Sequence, residues 1–170
     1  MIQRPLIVLR FRDINVNRNE TIRNHRLIIN DMGYCWWGWL YREYERNPHS
    51  ELGQLHGQLL ANAASTTYAV GLYDTGQGRM YKGLCDGVTT WPTVGFSPEV
   101  DFTPDYYRDR RAPAWFRFKE ISDDSPDLVV GRTCIGMPSA VQDCYTDLLG
   151  RQVTKMEDLR RQEVTLWVLD

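Results

Sequence analysis

Lysine is nearly missing from this chain: of its 20 basic residues, three are Lys and 17 are Arg. Long apolar runs are missing too, and none approaches the eighteen or so residues that span a bilayer. The start lacks the basic, apolar and small regions of a signal peptide, since Leu6-Ile7-Val8-Leu9 reads as a strand almost at once. Neither sign of charge dominates: the net charge is −2 and the pI near 5.9. That excludes a non-specific basic groove along the whole length. The four cysteines, Cys35, Cys85, Cys134 and Cys144, form no C-x-x-C pair and have no histidine at ligand spacing. They read as reduced thiols of a cytoplasmic protein, not as a zinc site. Patterns of the H-x-E, H-E-x-x-H, G-x-S-x-G, P-loop and G-x-G-x-x-G types are absent. No catalytic motif, metal site or cofactor is therefore expected.

What is present is a chain of 170 residues, 42% hydrophobic and 25% charged, the make-up of one ordinary globular domain. Charge is uneven along it: residues 1–85 hold 10 basic and 7 acidic side chains, and residues 86–170 hold 10 and 15. A local positive surface built from the first half fits that distribution. Arginine suits bidentate phosphate or carboxylate recognition and stacking on rings, although a compositional bias towards Arg explains the excess equally well. Aromatic residues reach 12%, with six Trp and nine Tyr.

Periodicity and turn residues divide the chain into elements. Residues 6–12 read as a strand. Asn17 or Asn19 caps a helix with Ile22, Ile28, Ile29 and Met32 on its apolar face and Gly33 at its end. Residues 34–41 read as an aromatic strand. Asn47-Pro48 opens a second helix with Leu52, Leu55, Leu59 and Ala63 on one stripe, and Gly53 and Gly57 on one face, as for close backbone packing. Residues 68–74 and 79–88 read as a hairpin, followed by a long connection over 89–113 that is functional or a lid. Residues 114–121 read as a strand, 122–127 as an acidic turn and 128–135 as a further strand. Ser139-x-x-Gln142 starts a helix bearing Val141, Cys144, Tyr145 and Leu148, stopped by Gly150. Thr154-x-x-Glu157 starts a short helix, and residues 164–169 form a last strand. Six to seven strands with three to four peripheral helices, and no regular βαβα alternation, predict an α+β fold around a mixed, barrel-like sheet. Residues 1–170 form a single domain. A last strand apolar on both faces that ends at Asp170 leads us to expect the N-terminal module of a longer protein.

Three constellations stand out. In the strand Tyr34-Cys35-Trp36-Trp37-Gly38-Trp39, side-chain alternation puts Trp36 on one face and Cys35, Trp37, Trp39 and Tyr41 on the other. Gly38 leaves a gap beside them for a flat ligand or another backbone. Stacking a base on such a ring is worth roughly 1–3 kcal/mol, so this is either a pocket wall or a Trp-rich core strand. Residues 91–113 bring Trp91, Tyr106, Tyr107, Arg108, Arg110 and Arg111 together on a Pro-bracketed loop suited to phosphate. Asp101, Asp105 and Asp109 offer those arginines simple ion pairs instead. In Trp115-Phe116-Arg117-Phe118-Lys119, the phenylalanines face a core while Trp115 and Arg117 line a site wall or a solvated face. The histidines are weaker candidates: His25 reads as a partly buried surface residue, His49 and His56 as a poor metal pair, and Cys35 with His56 as a remote nucleophile idea.

A first strand, a helix, a Trp-rich strand and a later Tyr-rich loop leading into Pro113-Ala114-Trp115-Phe116-Arg117-Phe118 resemble the PUA-like superfamily, with the EVE and YTH branches nearest. The resemblance implies a small mixed β-barrel with peripheral helices that binds nucleic acid, often with a modified base in an aromatic cage. It also implies fusion ahead of a C-terminal effector domain. By that likeness the cage positions are Trp36, Trp37 or Trp39 with Trp91, and Arg108 to Arg111 lie near phosphate. The expected function is a non-enzymatic sensor module for a nucleotide or an extruded base, modified or not. Its binding residues are Trp36, Trp37, Trp39, Trp91 and Trp115, with Arg108, Arg110, Arg111 and Arg117 at phosphate. The alternative is a protein-interaction or oligomerisation domain, a homo-oligomer whose aromatic patches are anchors. A small-molecule enzyme using Cys35 or a histidine comes third.

Overall fold

In a computed structural model of the chain, residues 5–12, 20–141, 147–160 and 163–170 are described. They form strands β1 (Leu6–Phe11), β2 (Cys35–Trp39), β3 (Tyr68–Asp74), β4 (Arg79–Gly95), β5 (Ala112–Asp124), β6 (Cys134–Gly136) and β7 (Leu166–Leu169). The helices are α1 (Glu20–Met32), α2 (His49–Ala61) and the single turn α3 (Glu157–Arg160). All seven strands join one mixed sheet in the order β2-β5-β4-β3-β1-β7-β6. Its one parallel pair is β1 with β3, which α1, β2 and α2 connect.

The central strands are apolar on both faces. In β1, Ile7 and Leu9 enter one core with Trp37, Trp39 and the helix residues Ile22, Leu52 and Leu59. Leu6 and Val8 enter a second core with Val129, Met156, Leu159 and Trp167. Strand β7 sits between β1 and β6, and all four of its residues are buried.

The sheet is open, not closed into a barrel, yet it curls. Four strand spacings separate β2 from β1, about 19 Å in a flat sheet. The Phe11 and Trp37 rings nevertheless meet at 5.0 Å. Register shifts between β4 and β5 at Leu84/Cys85, Cys85/Gly87 and Thr90/Gly95 supply the bend, since bulges sharpen local twist. Gly83 lets the sheet fold over Phe118, whose ring lies 2.7 Å from where a β-carbon would stand. The two ends of the curl thus face each other through side chains, and the gap between them becomes a cleft.

Several elements differ from the sequence expectation. Strand β4 runs on to Gly95 because β5 pairs with it beyond residue 88. The connection therefore shrinks to residues 96–111, with 3-10 turns at Val100–Phe102 and Asp105–Tyr107. Strand β5 reaches Asp124 and absorbs the first part of the expected acidic turn. Residues Pro126–Leu128 form a 3-10 turn, leaving only Cys134–Gly136 as strand in that region. Gly53 and Gly57 face open space, with nothing near a β-carbon at either, so they mediate no close packing. The Asn17 and Asn19 caps lie outside the described residues, as does most of the helix expected from Ser139, including Gln142, Cys144 and Tyr145. Leu148 and Gly150 lie in a turn, and Ser139 bonds Glu45. Thr154 is capped by Asp158, one residue beyond the Glu157 of the expected box.

Candidate functional site

Side-chain alternation in β2 follows the sequence expectation, and the sheet turns it into two separate aromatic groups. Trp37 and Trp39 are 2% and 1% exposed and lie in the larger core. Trp36 points to the other face, where it packs with Trp115 and Ala112. The gap expected beside Gly38 is filled: the Trp115 ring stands 2.9 Å from a β-carbon built there. Trp115 Nε1 donates to the Gly95 carbonyl, and the Trp91 ring covers Gly95 from the other side. Trp91 is half-exposed, held beside α2 by Asn47 Nδ2, which donates to the Trp91 and Thr93 carbonyls. No single pocket gathers all five tryptophans.

The group around Trp36 is closed by its own partners. Arg117 lies over the Tyr34 and Trp36 rings at 5.0 and 5.8 Å, and its Nε donates to Asp86 at 2.7 Å. Glu99 accepts from Tyr34 Oη and Trp36 Nε1, which pins the 96–111 connection to the sheet. The other predicted arginines sit on that connection. Arg108 donates to the Thr103 carbonyl and pairs with Asp105, Arg111 covers Phe96, and Arg110 is exposed.

The open cleft lies on the opposite side, between the end of β1 and the free edge of β2. It measures about 300 Å³, and its wall is built from Arg10, Phe11 and Arg12, then Trp37, Gly38, Trp39 and Leu40, with Arg42, Thr75, Tyr107 and Thr165 closing it. Trp37 and Trp39 are almost wholly buried beside it, whereas Phe11 and Tyr107 are half-buried. Arg10, Arg12 and Arg42 line the cleft; Arg10 Nη1 also donates to the Arg160 carbonyl and Arg42 Nη1 to the Tyr44 hydroxyl. Burial, and then the neighbouring Arg42 charge, lowers the pKa of Arg10.

Buried hydrogen bonds frame the cleft. Glu45 is buried and accepts from the Arg42 and Thr165 backbone N–H groups and from the Ser139 and Thr165 hydroxyls. Thr165 Oγ1 in turn accepts from Trp39 Nε1 at 3.0 Å. Behind the cleft, His25 is fully buried, with its ring 4.4 Å from Trp37 and 5.2 Å from Tyr107. That corrects its expected place at the surface; the curl of the sheet brings β2 over α1. Its Nδ1 donates to the Thr21 carbonyl, leaving Nε2 without a partner among the described residues. Burial pulls its pKa down to about 4.

Cys35 and His56 do not form a nucleophilic pair. Burial pushes the Cys35 thiol up, and Cys85 to about 12, so both stay protonated. His56 bonds the Tyr68 hydroxyl. Among the described residues no cluster of His, Cys, Asp or Glu could hold a metal, Cys35, Cys85 and Cys134 are free thiols, and no helix is long and apolar enough to cross a membrane. Sequence reasoning missed Arg10, Arg12 and Arg42 as a set. Their one signal was the basic excess of the first half, since nothing in their spacing says that they converge.

No characterised protein and no solved structure matches the chain. A family model described as Pua-like matches residues 7–170, and the mixed sheet with peripheral helices is consistent with it. Since that match covers nearly the whole chain, the protein belongs to the PUA-like family.

Proposed function

We propose that the seam cleft is a recognition site for one nucleotide unit of a nucleic acid. PUA-like domains are generally nucleic-acid-binding modules and typically not catalysts, and the observation that carries the reading is the convergence of Arg10, Arg12 and Arg42 on an aromatic cleft. At about 300 Å³ the cleft is at the small end of ligand sites, which suits one extruded base, modified or not. In this reading the ring packs against Phe11, Tyr107 and the edges of Trp37 and Trp39, and the arginines hold phosphate. Unstacking a base costs a few kcal/mol, which ring contact and charge-assisted hydrogen bonds offset. Arg108 serves the site indirectly by fixing the turn that carries Tyr107. Trp36, Trp91, Trp115 and Arg117 lie on the other face, and Arg110 and Arg111 on the connection; none lines this cleft.

The test is a tryptophan-fluorescence titration with nucleotides and short oligonucleotides, with and without modified bases. Arg42→Ala and Tyr107→Ala should each weaken binding about tenfold, the loss of one charge-assisted or stacking contact. Unchanged affinity in both variants, with the fold intact by circular dichroism, removes the cleft from the function.

A second reading rests on one observation: Trp91, Phe96, Val100 and Tyr106 are all exposed along one stretch of chain. As anchors of a protein contact they would make sedimentation depend on concentration, and Phe96→Ser would abolish that dependence.

A further inference from the structure

A second arginine-lined groove adjoins the seam cleft. It measures about 350 Å³ and lies between α1 and β4, with Arg23, Arg26 and Asn30 from the helix and Arg79 and Tyr81 from the strand. The helical residues fall on one face by their three- and four-residue spacing. Arg26 is fixed as the groove's wall: its Nε donates to the Ile121 carbonyl at 2.8 Å, its Nη2 pairs with Asp123 at 2.7 Å, and it lies over the Tyr81 ring at 5.6 Å. Arg23 pairs with Glu20 on the helix surface. The groove is lined by three arginines and one carboxylate, Asp123.

The two depressions have no lining residue in common, and one aromatic contact links them. The Phe11 ring lines the seam cleft and stands 5.0 Å from Trp37 on that side and 6.4 Å from Tyr81 on the groove side. Six of the ten basic residues in the first half of the chain thus line two sites linked through the Phe11–Tyr81 contact. One mononucleotide cannot occupy both. A strand can, stepping over Phe11 from one site to the next.

We infer that the α1–β4 groove is a second phosphate subsite, so that the natural ligand is a single-stranded polynucleotide and not a free nucleotide. This rests on the cleft reading above and extends it to the class of ligand. Backbone contacts to successive phosphates release counterions, and each neutralised phosphate of a single strand steepens the logarithmic salt dependence by about 0.7.

The experiment compares a nucleoside monophosphate with a single-stranded hexanucleotide of the same base, titrated at several salt concentrations. Four proteins are used: the unaltered chain, Arg23→Ala, Arg79→Ala and Arg42→Ala. Arg23 and Arg79 are solvent-exposed, so their removal leaves the fold intact. The expected result is tighter hexanucleotide binding by the unaltered protein, reduced about tenfold and with a shallower salt slope in the Arg23 and Arg79 variants, while monophosphate binding is untouched. Hexanucleotide binding no tighter than monophosphate binding, or unchanged in both variants, overturns the inference. So does an equal loss for both ligands. Failure of the cleft reading looks different: Arg42→Ala then leaves monophosphate binding intact. A protein that binds neither ligand overturns both.

Discussion

His25 carries the chain's clearest single-residue liability. The unfolded chain protonates this imidazole as pH falls through 6.5, whereas the folded chain resists until about 4 because burial excludes the charge. The stability contributed by the neutral ring is therefore complete above pH 6.5 and is lost progressively between 6.5 and 4, by roughly 3 kcal/mol. Urea midpoints at pH 4.5 and 7 should differ accordingly in the unaltered protein. In His25→Phe that difference should shrink, because no titrating group remains between Trp37 and Tyr107. Gly38 tests the other face of β2. A β-carbon there meets the fully buried Trp115 ring at 2.9 Å, so Gly38→Ala should cost about 1–3 kcal/mol by overpacking, read as a lower thermal midpoint. Had the gap been a ligand slot, the same change would spare stability and cost binding. The sequence showed that a glycine interrupts the tryptophans; which ring fills its gap depends on β5, seventy-seven residues away.

At the level of elements, α2 is held by Leu52 and Leu59 alone among its fully buried side chains. Gly53 and Gly57 lie on its solvent side with open space around them. Gly53→Ala and Gly57→Ala should each stabilise the protein by about 0.5–1 kcal/mol, through lower unfolded-chain entropy and better helix propensity. Denaturant midpoints would check this, and a loss of stability in both would mean that α2 packs more tightly than its surroundings indicate. Strand β2 shows the limit of pattern reasoning at this scale. Its alternation was legible, so Trp37 and Trp39 were correctly separated from Trp36. Its position at the edge of the sheet was not, because pairing with β5 depends on contacts distant in sequence. Strand β4 was underestimated for the same reason: Trp91 and Pro92 look like loop chemistry, and the pairing of β5 past residue 88 keeps that end extended.

For the whole molecule, β7 ties the far end of the chain to its start. Leu166 to Leu169 pair with β1 on one side and β6 on the other, and Trp39 and Glu45 both bond Thr165 just before it. Removing residues 164–170 would open both cores, so a chain truncated there should lack a cooperative thermal transition, measured by near-ultraviolet circular dichroism. A retained transition would show that the first core folds without β7. Glu45→Ala strands the Thr165 and Ser139 donors and should cost about 3 kcal/mol. It should also weaken ligand binding, since the same carboxylate positions Arg42. Charge belongs to this scale too. With a net charge of −2, the protein has no long-range pull on nucleic acid, and the basic residues of the first half act only where the fold gathers them.

By itself the sequence determined the class of the molecule. Double-faced apolar strands and two amphipathic helices are local properties, and they specify a mixed α+β domain. The tertiary structure alone decided which of these side chains meet. Bulges between β4 and β5 curl the sheet until β1 and β2 face each other, and that curl buries the tryptophans that looked like a pocket. It also brings Arg10, Arg12 and Arg42 to the lining of one cleft, which their spacing does not announce. Local pattern records which way a side chain points; only the closure of the sheet decides what it meets there.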